Sequence, residues 1–210
     1  MSRTFYLTTR DLHLYSGLFI SPFVLLFALS VFFLVHAWVP GGDPNRKPAE
    51  RSVRGLRLPP HLDTLQNAER VRAVREVMNQ LQVTGEISFI THVAGRHLLE
   101  IPVFVPGRET TIYLDYAAGS AVVSTRDTGL ADALIYLHKS PGPHLAAIRG
   151  NWSMTRVWRW LADATVYLLL FVSVSGIYLW FVLRAERKIG FVLIVAGALS
   201  FLCIVYGISY

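Results

Sequence analysis

Histidine is the residue type that carries most of the chemistry visible in this sequence. The chain has 210 residues with seven histidines, and its single cysteine, Cys203, lies in an apolar run. A lone thiol forms no intrachain disulfide and cannot supply a cysteine-based zinc or iron–sulfur site. Any metal chemistry therefore depends on His, Asp or Glu side chains, and neutral imidazole is a standard ligand of metal ions and of haem iron.

Two histidines, His13 and His36, flank the same long apolar segment. They are 23 residues apart, which is about 35 Å along a straight α-helix, so they cannot share one metal ion. Because an ionisable residue in a membrane helix is a functional candidate by default, His36 is the first candidate ligand. If His36 is one of two histidine ligands of a haem b near the outer face of the membrane, a second histidine is needed at similar depth. The candidates are His138 and His144. The alternative for His36 is a hydrogen bond to lipid or water.

Basic residues near these histidines could bind the carboxylates of a cofactor. Lys139, Arg149, Arg156 or Arg159 could pair with haem propionates, since guanidinium and ammonium groups form charge-assisted hydrogen bonds with carboxylates. On the inner face His13 stands by itself, so an inner haem would need a second copy of the chain or another subunit. The alternative for His13 is a capping or headgroup-contacting role.

Other motifs are absent from the sequence or have a simpler explanation. The sequence contains no phosphate-binding glycine loop, no His-Glu-x-x-His and no nucleic-acid motif. The net charge of +6 is explained by basic membrane flanks, so nucleic acid is not an expected partner. His61, His92 and His97 lie in a predicted linker and near a predicted hairpin turn, where we expect solvated side chains.

Three uncharged segments must position the candidate ligands. Hydrophobic residues make up 53% of the chain and charged residues 16%, against about 25% charged in soluble proteins. No Asp, Glu, Lys or Arg occurs at 12–42, 164–183 or 189–210. Each run is long enough to cross a hydrocarbon core of about 30 Å, so the sequence predicts three transmembrane helices in a lipid bilayer. The first run is too long for a signal peptide and is expected to be retained.

The long loop between the first two spans is predicted to fold as an α+β domain. Val71, Val74, Met78 and Leu81 have helical spacing, with Asn67 as a possible N-cap. Gly85 is predicted to stop this helix. Alternating residues then predict four antiparallel strands, at 87–93, 97–105, 110–115 and 121–124, and Pro102 suggests an edge strand.

The predicted organisation has seven parts. These are the N-terminus and first span at 1–40, a linker at 41–60, the domain at 61–128, an interfacial amphipathic segment at 129–160, the second span at 161–183, a short turn at 184–188 and the third span at 189–210. Arg3 and Arg10 precede the first span, and Arg184, Arg187 and Lys188 separate the last two. These short basic segments predict a cytoplasmic N-terminus, with the long loop on the opposite side.

The order of these parts resembles the PepSY-associated transmembrane family of bacterial inner-membrane proteins. The matching motifs are Leu12-His13 followed by Gly17-Leu18, Tyr113-Leu114-Asp115 followed by Gly119, Leu137-His138-Lys139-Ser140, and Ser175-Gly176-Ile177-Tyr178-Leu179-Trp180. The first span has Ala28-Leu29-Ser30-Val31 where the family has a Thr-Gly element. The resemblance covers nearly the whole chain and implies a periplasmic PepSY domain in a multi-pass inner-membrane protein. On the resemblance alone, His138 is favoured over His144.

The fold class expected is membrane α-helical with an α+β insert: three transmembrane helices plus a periplasmic PepSY-like domain of one helix against a four-stranded antiparallel sheet. In some members of the family that this chain resembles, the protein is a haem-carrying membrane reductase linked to ferric-siderophore use. The leading hypothesis is therefore a haem b electron-transfer component that serves periplasmic ferric iron or a ferric chelate. The alternative is a non-catalytic PepSY binding or regulatory module, or an accessory subunit of a larger membrane complex. Three spans make a thin wall around a cofactor, so a homodimer or a partner membrane subunit is expected.

Overall fold

The computed structural model describes residues 3–37, 47–93, 96–140, 148, 150–183 and 186–209. In chain order its elements are α1 (Arg3–Val35), β1 (Ala49–Arg54), α2 (Asn67–Gln80), β2 (Glu86–Ile87), β3 (Thr91–Val93), β4 (Leu98–Val105), β5 (Arg108–Asp115), β6 (Ser120–Asp127), α3 (Leu130–Lys139), α4 (Ser153–Leu183) and α5 (Arg187–Ser209). The chain divides into two compact units, residues 1–22 with 164–210 and residues 23–163.

Three of the helices are long and apolar enough to cross a membrane. α1 has 33 residues, α4 has 31 and α5 has 23, which confirms the three predicted spans. α1 begins at Arg3, before the uncharged run, and α4 begins at Ser153, well before the predicted start at residue 161. Both extensions contain charged residues. The spans are predicted from runs without charged residues, so these extensions fall outside the prediction although they belong to the same helices.

The domain between α1 and α4 is built on one antiparallel sheet. Its strand order is β1-β6-β5-β4-β2, and β3 also pairs with β4. Tight turns fix how neighbouring strands pair. Asp115 Oδ1 accepts hydrogen bonds from the backbone N–H groups of Ala117 and Ala118, at 3.0 and 2.9 Å, and Gly119 follows with a φ of +59°. An aspartate that binds the backbone two residues ahead, followed by a glycine, is typical of a turn.

All four predicted strands are present, and the structure adds to them. The first predicted strand is divided into β2 and β3. β1 lies within residues 41–60, the predicted linker, where it pairs with β6 from Ala49↔Thr125 to Arg54↔Ser120. Only Val53 of β1 is partly buried, and the other five residues are exposed. A strand at the sheet edge with one inward residue gives no alternating hydrophobic pattern, which is why the sequence did not predict it.

The predicted edge position of Pro102 is wrong. β4 pairs with β5 on one side and with β2 and β3 on the other, so it is an interior strand. Pro102 lies opposite the break between β2 and β3, where its carbonyl accepts a hydrogen bond of 2.9 Å from the Ser88 N–H. At this break the missing N–H of proline removes no ladder hydrogen bond, so an interior strand tolerates it.

The domain core lies between α2 and one face of the sheet. Val74, Met78 and Leu81 are completely buried and Val71 is 9% exposed, as their spacing predicted. They pack with the inward residues of the three long strands, namely Leu99, Ile101, Val103, Ile112, Leu114, Ala121 and Val123. Alternate residues along each strand thus supply one apolar face, and the single helix covers it.

Both predicted ends of α2 shift by a residue or more. The N-cap position is Gln66, without a side-chain cap, and Asn67 is the first helical residue. The helix ends at Gln80, and Gln82 has a φ of +53°. Gly85 therefore does not stop the helix. It has a φ of +147°, and a Cβ there would lie 2.7 Å from the Phe104 carbonyl oxygen, so glycine allows the chain to approach β4.

We expect Gly85→Ala to lower the free energy of unfolding by about 2 to 4 kcal/mol, because it combines positive-φ strain with a clash against backbone. Gly55→Ala is the matched control, since Gly55 has a φ of +75° with nothing within 4 Å of an added Cβ. It isolates backbone strain, worth about 1 kcal/mol. Circular dichroism during chemical unfolding measures both, and equal losses would contradict the role of the close approach.

Candidate functional site

The structure places His138 against a buried serine of the first membrane helix. Ser30 on α1 is completely buried, and its Oγ lies 2.9 Å from His138 Nδ1 in the last turn of α3. The imidazole also meets the ring of Phe27 edge-on, with centroids 5.4 Å apart. Trp158 Nε1 donates to the carbonyls of Leu137 and Ser140, at 2.9 and 3.1 Å. These bonds fix the end of α3 and therefore the position of His138.

His13 makes an equivalent contact in the other compact unit. Its Nδ1 lies 2.8 Å from Ser175 Oγ on α4, and Ser175 is 4% exposed. The next residue is Gly176, where a Cβ would lie 3.3 Å from His13 Cε1. The absence of a side chain there allows the imidazole to lie against the helix backbone. His13, expected to stand by itself, thus has a partner on a span that contains no histidine.

Hydrogen-bond geometry assigns the same tautomer to both imidazoles. Ser30 Oγ lies 2.7 Å from the Phe27 carbonyl oxygen, and Ser175 Oγ lies 2.6 Å from the Phe171 carbonyl oxygen. A carbonyl only accepts and a hydroxyl has one proton, so each serine donates to its own helix. Each histidine then donates Nδ1–H to the serine. In the neutral ring this leaves Nε2 of both imidazoles as the nitrogen with a free lone pair.

The other predicted ligands are placed differently. His36 directly follows α1 and is exposed, with its ring centroid 4.5 Å from that of Phe32. His36 lies six residues beyond Ser30, about 9 Å along the helix axis. His138 is therefore near the same end of α1 as His36, but its hydrogen-bond partner is Ser30. His144 lies outside the described residues. Within the described residues, no group of three or more His, Cys, Asp or Glu side chains could hold a metal ion.

A buried polar cluster, not found from the sequence, joins the domain to α4. Glu86 of β2 is 9% exposed, and its carboxylate accepts hydrogen bonds from three consecutive backbone N–H groups, those of Gly150, Asn151 and Trp152, at 2.5, 3.1 and 2.7 Å. These residues directly precede α4, so the carboxylate satisfies the N–H groups of the segment that enters the helix, and its negative charge lies at the positive end of the helix dipole. The Asn151 side chain also bonds both the N–H and the carbonyl of Ile87, at 3.0 and 2.8 Å.

Arginine side chains surround this cluster. Arg75 on α2 donates to the Gly85 carbonyl at 2.9 Å and to the Asn151 carbonyl at 2.8 Å. Burial lowers the pKa of Arg75 below its ordinary value, and the charge of Glu86 partly offsets this shift. Arg156, a predicted propionate partner, shares a cavity of about 410 Å³ with Arg72 and Arg75. Arg159 borders it, with Nη1 at 3.8 Å from the Cβ position of Gly150.

The fold and these contacts define a multi-pass membrane protein with three membrane-crossing helices and an α+β domain inserted between the first two in the sequence. The chain matches the PepSY_TM-like family over residues 7–208, and it belongs to that family. This confirms the family that the motifs had indicated. No curated protein and no solved structure matches the chain.

We expect Glu86→Gln to weaken the junction between β2 and α4 by about 2 kcal/mol, because an amide replaces one acceptor oxygen with a donor facing backbone N–H groups. Hydrogen exchange of the full chain should then be faster at the amides of Gly150, Asn151 and Trp152. Glu109→Gln is the control, because Glu109 forms an exposed ion pair with Arg126 at 2.9 Å. Unchanged exchange in Glu86→Gln would show that the carboxylate does not hold this segment.

Proposed function

We propose that this protein binds b-type haem through His138 and His13 and acts as an electron-transfer component of a bacterial inner membrane. In this proposal the N-terminus is cytoplasmic, the PepSY-like domain is periplasmic, and the electrons reach ferric iron or a ferric chelate. The supporting observation is the placement of the two imidazoles, each with Nδ1 within hydrogen-bond distance of a buried serine hydroxyl, which in the neutral ring would leave Nε2 as the acceptor. Neutral imidazole in this form is the usual haem and metal ligand.

His138 would supply one imidazole ligand to a haem on the outer side, and His13 would supply one to a haem on the inner side. His36 is the candidate second ligand on the outer side, because it lies near the same end of α1 as Ser30 and His138. The second ligand opposite His13 must come from a second copy of the chain or from a partner subunit. A homodimer therefore remains part of the proposal, and so does the alternative of a membrane partner.

The protein's contribution is ligand orientation and environment. Each serine oxygen would accept a hydrogen bond from Nδ1–H, which fixes the ring and makes Nε2 a stronger electron donor. Near His138 the rings of Phe27 and Trp158, with centroids 6.1 Å apart, supply an apolar surrounding that limits water. Bound haem would supply the one-electron chemistry that these side chains lack. Outer-sphere electron transfer requires no general acid or base from the chain.

We expect protein purified after expression with haem supplied to show a Soret band in its visible spectrum. His138→Ala and His13→Ala should each remove part of the bound haem. Ser30→Ala and Ser175→Ala should keep the ligand but weaken haem affinity by about 10- to 100-fold, as loss of a hydrogen-bond partner of a ligand commonly does. The control is His97→Ala, because His97 is exposed and lies in the domain turn.

Two results would reject this proposal. One is the absence of a Soret band although haem was available. The other is a Soret band that survives the double substitution of His13 and His138, which would place the ligands elsewhere.

A second candidate function is a membrane-anchored binding or regulatory module. It is favoured by the hydrogen bonds from Gly150, Asn151 and Trp152 to Glu86, because they join the domain directly to a membrane helix. In this case the exposed edge strand β1 offers a place for a partner strand. Full cellular function in His13→Ala/His138→Ala, together with loss of function when residues 61–126 are deleted, would favour this candidate.

A further inference from the structure

The cavity between α2 and the start of α4 is lined by three guanidinium groups. Arg72 and Arg75 come from α2, and Arg156 comes from the first turn of α4. The remaining lining residues carry no charge and are Ala68, Val71, Ile148, Gly150 and Asn151. Among the described residues no carboxylate contributes to the wall, so these side chains concentrate positive charge.

Two of these arginines have no ion-pair partner within the part of the chain that the structure describes. Arg72 and Arg156 are exposed, and across the described ranges no carboxylate lies within ion-pair distance of either. The guanidinium of Arg75 already donates hydrogen bonds to the carbonyls of Gly85 and Asn151. The nearby carboxylate of Glu86 accepts hydrogen bonds from three backbone N–H groups, and its charge acts on Arg75, but it forms no ion pair with Arg72 or Arg156.

Clustered guanidinium groups repel one another, and an anion in the cavity would relieve this repulsion. Arginine presents planar, paired N–H donors that match the oxygens of phosphate, so a phosphate group is the anion that this wall suits best.

The position of Arg156 on a membrane helix points to a lipid as the source of the phosphate. Arg156 precedes the uncharged run that begins at Ala164 by eight residues, about 12 Å along the axis. The polar layer on each side of a bilayer is about 5–8 Å thick, and a long arginine side chain reaches into it. Trp158 and Trp160 lie between these positions, as expected for residues at the membrane–water interface.

We propose that the cavity lined by Arg72, Arg75 and Arg156 binds the phosphate of an anionic phospholipid headgroup. This proposal is independent of haem, and it assigns Arg156 to a lipid phosphate instead of a haem propionate. Arg72 and Arg156 contact the phosphate, and Arg75 holds the wall of the site through Asn151. Headgroup binding would fix the domain against the membrane at the start of α4.

The test compares phospholipids that share acyl chains and differ in headgroup charge. The full-length protein in neutral detergent is titrated with phosphatidylglycerol, phosphatidylcholine or inorganic phosphate, and native mass spectrometry counts the bound molecules. Wild type is compared with Arg72→Gln/Arg156→Gln. The matched control is Arg96→Gln/Arg108→Gln, which removes the same charge from two exposed residues outside the cavity.

The proposal expects wild type and the control to retain phosphatidylglycerol in preference to phosphatidylcholine. In Arg72→Gln/Arg156→Gln the Kd for phosphatidylglycerol should rise by about tenfold or more, because two basic side chains at the surface of an anionic lipid are lost. Equal retention of both lipids, or an unchanged Kd in this variant, would overturn the proposal. Inorganic phosphate that binds as tightly as phosphatidylglycerol would overturn the lipid source and indicate a site for a soluble anion. A fall in haem content with no change in lipid binding would instead assign the arginines to propionates.

Discussion

A serine hydroxyl buried in an apolar helix has a single proton, and the acceptor of that proton determines what a neighbouring histidine can do. Ser30 and Ser175 each lie close to a carbonyl of their own helix and to the Nδ1 of an imidazole. Because the carbonyl cannot donate, the histidine must. Without these bonds, His13 and His138 would be isolated ionisable groups near the membrane, free to adopt either tautomer. With them, both rings are oriented and both offer Nε2.

The second constraint acts where the soluble domain joins α4. The backbone N–H groups of the segment that enters α4 need hydrogen-bond partners, because burying them unpaired would cost stability. The chain solves this with one carboxylate, that of Glu86, which comes from a strand of the domain. The same carboxylate therefore pairs the segment that enters α4 and attaches the sheet to it. Among the described residues, Arg72 and Arg156 near this carboxylate have no ion-pair partner, which is the basis of the lipid proposal.

The periodic parts of the structure could be predicted from the sequence, and the long-range contacts could not. Runs without charged residues predicted the three spans, and apolar residues at helical spacing predicted the buried face of α2. Both patterns follow directly from which residues are buried or in contact with lipid. β1 was not predicted, because only Val53 turns inward and the strand therefore has no alternating apolar pattern. The Ser175–His13 and Ser30–His138 pairs join residues 162 and 108 positions apart, and no local pattern encodes such a pairing. The one available signal was the position of Leu-His and Ser-Gly motifs at the helices concerned.

The tautomers of His13 and His138 give the most direct test of this account. Solid-state NMR of isotope-labelled histidine nitrogens, recorded on the full chain in lipid bilayers without added haem, distinguishes a protonated ring nitrogen from a bare one. The account predicts that both residues carry their proton on Nδ1 and that Nε2 is bare. A proton on Nε2 with a bare Nδ1 would show that the serines donate to the histidines, and it would contradict the role assigned to these rings as ligands.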